Sequence, residues 1–281
     1  MIVARAALEH VFAIATFKFV VACATVKRRV AGVGIVETRR KDRVVAVPAQ
    51  HSCLVAVGLR GAGHEDVGRS LFGVMEHEGD VLLDGEKPDL SSPRSAMESG
   101  FGFVARDRVV ESITPVLTIR ENAFINPAAS GRKPLSLLLP SAETAQAKDL
   151  GELVGLSPND PSLAIEALSG GNQQKIVVGR WLGTNRKFLI AEDPTAGVDV
   201  GAKAEIYNLL FNALASGMGV LVVSTDFEEV AAICHRAVVF SRGKIVSELS
   251  GVELSTESLI QAASAGETGV TNTGVADHAV H

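Results

Sequence analysis

Short apolar runs recur along this chain, each closed by a turn signal and followed by a stretch with helical spacing of its apolar positions. Leu54 to Gly58 reads as a buried strand that ends in a Gly-rich turn through Gly63, after which His64 to Phe72 reads as a helix. The segment GDVLLDGEKPD, with Asp84-Gly85 at its centre, predicts a hairpin. A short helix is expected after Pro93 and a strand at Phe101 to Val104. From about Arg106 to Asn159 helical patterns are interrupted by Pro115, Pro127, Pro134 and Pro140. An amphipathic helix then reaches Leu182, followed by an apolar run at Phe188 to Ala191. A helix through Tyr207 and Leu214, a strand at Val220 to Ser224 and shorter elements to Leu249 complete the alternation. Strands that alternate with helices predict an α/β fold whose mostly parallel sheet is covered on both faces.

The two ends of the chain read differently. Residues 1–50 are rich in Val, Ala and Arg and alternate only loosely, which predicts an antiparallel β region. Residues 263–281 are small, polar and aperiodic, and are expected to form a disordered tail. The apolar stretch Val11 to Val26 contains Lys18 and is followed by Lys27, Arg28 and Arg29. It is shorter than the about 20 apolar residues that a spanning helix requires, so a buried strand pair is expected there.

Composition narrows the function classes. With 281 residues, 47% hydrophobic and 21% charged, the chain can bury a substantial core. Its formal net charge of -5 offers no basic field for nucleic acid. Cys23, Cys53 and Cys234 have no metal-ligand or redox spacing, so reduced thiols in a cytosolic protein are expected.

The most specific chemistry lies in LSGGNQQK, from Leu168 to Lys175. Ser169 is placed to cap a helix, Gly170 and Gly171 let a backbone approach closely, and the first-turn N–H groups of a helix attract an anion. Downstream, the apolar run at Phe188 leads into EDPTAGVDVGAKAEIY. The two strings, in this order and spacing, resemble the signature motif and the Walker B strand with D-loop of the ATP-binding cassette (ABC) ATPases. The Asn-Gln-Gln-Lys form resembles the sugar-importer branch, and the chain as a whole its second nucleotide-binding half, over roughly residues 50–262.

That resemblance implies a P-loop NTPase core over 51–262 with a helical subdomain at about 106–170. It also implies ATP and Mg2+ as cofactors. The implied partners are a second, competent nucleotide-binding half, a membrane permease and, indirectly, a sugar-binding protein. The implied location is cytoplasmic, peripheral at the inner face of the cell membrane. An adenine-stacking aromatic is expected in the N-terminal region of such proteins; Phe17 and Phe19 are the residues available there, since Tyr207 and Trp181 lie elsewhere, and neither is assigned the role.

Residue by residue, the nucleotide site departs from the family pattern. A phosphate loop of the form G-x-x-x-x-G-K-[ST] uses N–H groups to cradle phosphate, a Lys to neutralise it and a hydroxyl to hold magnesium. Here Gly58, Gly61 and Gly63 supply the loop, but His64 stands in place of the Lys and Glu65 in place of the hydroxyl. A carboxylate about 4 Å from a like charge costs about 4 kcal/mol at an effective dielectric of about 20, which magnesium bridging Glu65 to phosphate would offset in part.

Glu192 occupies the metal-binding position of Walker B and Asp193 the water-polarising one, in swapped order. Since misplacement by about 1 Å costs about 100-fold in rate, hydrolysis at this site is expected to be slow. Arg106 takes the place of the usual Gln or Glu, and Thr225 that of the switch His. Against this, Ser169, Gly170, Gly171 and Gln173 of the signature and Gly197 and Asp199 of the D-loop are in place.

The expectation is a division of labour. The chain, as a separate or truncated second half, presents its signature to a partner's ATP while hydrolysing little in its own site, where Asp193, Glu192 and Thr225 hold the catalytic positions. A non-catalytic scaffold docking on a permease or regulator, and a poorly folding remnant, are the alternatives. A chromosome-partition or DNA-repair ATPase would carry long coiled-coil insertions, which this sequence lacks.

Overall fold

A computed structural model describes residues 2–8, 17–23, 43–47, 53–77, 80–84, 86–126, 139–184 and 186–265. Strands β1 (Ile2–Leu8), β2 (Phe17–Cys23) and β3 (Arg43–Val47) form an antiparallel sheet in the order β2-β1-β3. The antiparallel β region expected for the first fifty residues is thus present. Of the apolar stretch Val11 to Val26, only β2 is described; its burial, and that of Phe17 and Phe19, lies outside the described residues.

The main sheet contains β4 (Leu54–Gly58), β5 (Phe101–Val104), β6 (Phe188–Glu192), β7 (Gly219–Ser224), β8 (Arg236–Ser241) and β9 (Lys244–Ser250), in the order β5-β6-β7-β4-β8-β9. Pairing is parallel except for β9, which returns antiparallel to β8. Every residue of β4, β6 and β7 is buried, as continuous Val, Leu and Ile runs require when helices cover both faces. By contrast β9 alternates between exposed and half-buried positions at the sheet edge.

The helices are α1 (Glu65–Leu71), α2 (Pro93–Glu98), α3 (Ile119–Ala123), α4 (Pro140–Leu153), α5 (Gly170–Leu182), α6 (Val200–Ala215), α7 (Phe227–Ile233) and α8 (Thr256–Ala265). Helix α3 begins with a capping box between Thr118 and Glu121. Helix α5 lies close to α4, because a Cβ on Gly179 would stand 2.4 Å from Val154. It also supplies Trp181, which lies against β5 where Gly102 has no side chain. No helix of the described residues is long and apolar enough to cross a membrane.

Two expectations shift. GDVLLDGEKPD forms a single antiparallel bridge between Leu83 and Glu86 within its described residues, because no neighbouring strand extends the pairing. Helix α8 continues to Ala265, into the stretch expected to be a tail, because Leu259 and Ala263 bury one face. The rest of that stretch lies outside the described residues.

The order β7-β4-β8 places the end of β4 between two strands that arrive late in the chain, with β6 one strand beyond β7. Loops leaving the carboxyl ends of β4, β6 and β7 therefore converge, the position where open α/β sheets bind ligands.

Candidate functional site

Strand β4 ends at Gly58, where a Cβ would stand 2.8 Å from the Phe240 carbonyl oxygen and 3.0 Å from the His64 ring. The chain then turns through Gly61 (φ +81) and Gly63 (φ +92), left-handed conformations that glycine adopts without strain. Both N–H groups donate to one carboxylate: Gly61 to Glu65 Oε1 at 2.7 Å and Gly63 to Glu65 Oε2 at 3.2 Å. The predicted anion cradle has formed, and the anion in it is the chain's own Glu65. Burial alone would raise the Glu65 carboxyl, but the Gly61 N–H, His64 and the N–H groups of Glu65 and Gly63 bring it below the ordinary range.

His64 is completely buried at the start of α1. Its Nδ1 lies 3.3 Å from Glu65 Oε2, yet neither ring nitrogen makes a hydrogen bond of normal geometry. Burial lowers its pKa, outweighing the upward pull of the Glu65 and Asp193 carboxylates and the nearby Ser224 carbonyl. A buried imidazole whose charged form is disfavoured therefore stands where the family pattern has a cation.

The two acids at the end of β6 are paired with arginines. Glu192 is buried, and its Oε2 accepts from Arg69 Nη2 at 3.0 Å. Arg69, on α1, also holds Glu111 through Nη1 at 2.9 Å. Burial raises the Glu192 carboxyl, with the Arg69 guanidinium pulling the other way. Asp193 has a left-handed backbone (φ +37), and its Oδ2 lies 3.0 Å from Arg106 Nε. Its Oδ1 accepts from the backbone N–H of Thr225 at 3.0 Å. Thr225 thus meets the site through its main chain.

These groups bound a cavity of about 120 Å3 lined by His64, Glu65, Arg69, Arg106, Glu192, Asp193 and Val223. Ligand pockets typically measure roughly 300 Å3 or more. Of the residues expected to hold magnesium, Glu65 accepts from loop amides through both oxygens, and Glu192 accepts from Arg69 through Oε2 while its buried Oε1 has no partner. Among the described residues no three His, Cys, Asp or Glu side chains gather into a metal-holding group. In this arrangement Glu65 takes the loop amides that a polyphosphate would need.

The signature region is built differently. Ser169 caps α5 by accepting from the Asn172 N–H at 3.3 Å and remains exposed. Gly171 brings α5 against α6, since a Cβ there would stand 2.4 Å from that of Ala202. Gln173 reaches back to the carbonyls of Ile165 and Leu168, and its Oε1 accepts from Arg108 Nε at 3.3 Å. Arg108 also donates to the carbonyls of Ala196 at 3.0 Å and Gly197 at 3.3 Å. It thereby ties the signature to the D-loop, and it lies where a Cβ on Gly170 would collide with it at 2.5 Å. Asp199 caps α6 by accepting from the Ala202 N–H at 2.9 Å.

The predicted residues thus fall into two groups. The structure brings Gly58, Gly61, Gly63, His64, Glu65, Arg106, Glu192, Asp193 and Thr225 to one pocket, and Ser169, Gly170, Gly171, Gln173 and Asp199 to a separate edge. Sequence reasoning missed Arg69, Glu111 and Arg108. No local pattern marked Arg69, whose partners Glu111 and Glu192 lie 42 and 123 residues away. Nothing local marked the partners of the other two.

The family model described as "ABC transporter" matches residues 48–196. The arabinose import ATP-binding protein AraG of Vibrio parahaemolyticus is 34% identical over 77% of this chain and 43% of its own length. The ribose import ATP-binding protein RbsA of Geobacillus kaustophilus is 33% identical over 76% and 43%. A putative ribose/galactose/methyl galactoside import ATP-binding protein of Agrobacterium fabrum is 36% identical over 75% and 42%. The chain therefore spans less than half the length of these curated relatives. Among solved structures, the ADP conformation of MJ1267, an ATP-binding cassette of an ABC transporter, has a TM-score of 0.69 at 19% identity, covering 96% of this chain and 99% of that one. A nucleotide-free cassette has a TM-score of 0.67 at 19% identity, with coverages of 93% and 96%. At such identity these two likenesses concern the fold.

Proposed function

The chain belongs to the ABC transporter family of ATP-binding domains, with sugar-import ATP-binding proteins among its homologues, and on that premise we propose that it serves as the second nucleotide-binding half of a carbohydrate importer. In this reading residues 51–262 are the nucleotide-binding domain, with its helical part at about 106–170. The family binds ATP with Mg2+. The chain contributes its signature edge to ATP held by the phosphate loop of a competent half, while its own loop turns over little. The pair sits at the inner face of the membrane against a permease, which a sugar-binding protein supplies.

One observation carries the proposal: Ser169 and Gly170 stand exposed or half-exposed at a capped helix start, held in register with the D-loop by Arg108, while the phosphate loop is filled from within. A capped helix start whose first residues, Ser169 and Gly170, reach the surface is suited to oxygen atoms of a phosphate brought by another molecule. The internally paired pocket supports the alternative as well, in which the domain is a scaffold without catalytic contribution.

Mixing the chain with a competent ABC half under saturating ATP and Mg2+ separates the two. Stimulated turnover that disappears with Ser169→Arg is the expected result. Turnover equal to that of the competent half alone rejects the partner role and leaves the scaffold.

A further inference from the structure

We infer that Glu65 is a built-in plug of the phosphate loop, an internal anion that a polyphosphate must expel before it can bind. The inference rests on the reading of this site as a family phosphate loop and concerns how that site is controlled.

Three features combine. The two loop amides that would meet a phosphate oxygen, Gly61 N–H and Gly63 N–H, are both donated to the Glu65 carboxylate, at 2.7 and 3.2 Å. The other acids of the site are paired without any ligand: Arg106 holds Asp193 at 3.0 Å, and Arg69 holds Glu192 at 3.0 Å and Glu111 at 2.9 Å. The buried His64 faces the same cavity with no hydrogen bond of normal geometry on either nitrogen. A completely buried imidazole whose polar neighbours, Glu65 and the Ser224 carbonyl, meet it in poor geometry gains from a state of the loop that supplies a full hydrogen bond. With Glu65 swung out to solvent, a phosphate oxygen would accept from the Gly61 and Gly63 amides and from the His64 N–H together. The carboxylate and the phosphate therefore compete for one set of donors, and each arginine already holds one oxygen of an acid that a metal would need, with Glu192 Oε1 left without a partner.

The test uses the full chain and two probes, pyrophosphate and ATP, each titrated calorimetrically with and without Mg2+. Wild-type binding should be weak and unchanged by Mg2+. If the loop is unplugged no more than about a tenth of the time, Glu65→Ser should tighten pyrophosphate binding by about tenfold or more. Glu65→Gln, which keeps the shape and removes the charge, should tighten it in the same direction. Equal affinity of wild type and both variants overturns the plug.

Should the variants fail to fold, hydrogen exchange of the nucleotide-free wild type decides. Slow exchange at Gly61 and Gly63 supports the plug, and rates equal to those of an exposed loop overturn it. The partner assay is independent of these readouts. Lost stimulation with a preserved affinity gain sinks the partner role alone, and preserved stimulation without the gain sinks the plug alone.

Discussion

The phosphate loop and the signature edge are made of the same kind of material, glycines at a helix start beside polar side chains, yet they treat their donors in opposite ways. In the loop, Gly61, Gly63, Arg69 and Arg106 all donate inward to Glu65, Glu192, Glu111 and Asp193. At the signature, Arg108 is engaged only with main-chain carbonyls and Gln173, and Ser169 keeps its exposure. A receptor for an anion needs donors that a carboxylate has not already neutralised. The comparison teaches that the presence of a motif and its readiness are separate properties, and here one region has only the first.

Four substitutions would break or sharpen that contrast. Ser169→Arg has the largest expected effect, complete loss of partner stimulation with the pocket's ion pairs unchanged. Arg69→Met should leave stimulation in place but remove about 2 kcal/mol of stability, because the buried Glu192 carboxylate loses its partner; a lowered denaturant midpoint would show it. A similar loss of stability with unchanged Ser169-dependent stimulation would establish that the two regions are independent.

Gly171→Val should cost about 2 kcal/mol by forcing α5 away from α6, and it should weaken stimulation as well, since the signature would be displaced. Unchanged thermal melting would refute the close approach of the two helices. The smallest effect belongs to Arg106→Ala. Its pair with Asp193 is partly exposed, so about 1 kcal/mol or less is expected in a denaturant titration.

Much of the fold was legible because parallel strands buried on both faces leave continuous apolar runs. β4, β5 and β6 appear at or within a residue of the runs that predicted them, and β7 begins one residue before its run. The hairpin at Asp84 was over-read, since a turn signal fixes a reversal but not the length of pairing on either side. In the site, the identities of the altered residues were visible, while their consequences were not. Glu65 looked like a metal ligand because sequence position suggests what a residue faces in relatives, whereas its carboxylate turns back onto Gly61 and Gly63. That contact is local and could have been anticipated from an acid placed just after a Gly-x-Gly turn. The Arg69–Glu192 pair could not, because its members lie 123 residues apart and meet only through the strand order.

That strand order also has a consequence for synthesis. β4 pairs with β7 and β8, and both are translated long after it. At about 5–20 residues per second, a ribosome leaves the all-apolar strand Leu54–Gly58 without either neighbour for on the order of ten seconds. Throughout that interval the nascent chain displays two bare edges of a hydrophobic strand, the kind of template on which chains stick to one another. Yield in the cell should therefore depend on holdase chaperones that mask this segment until β8 emerges.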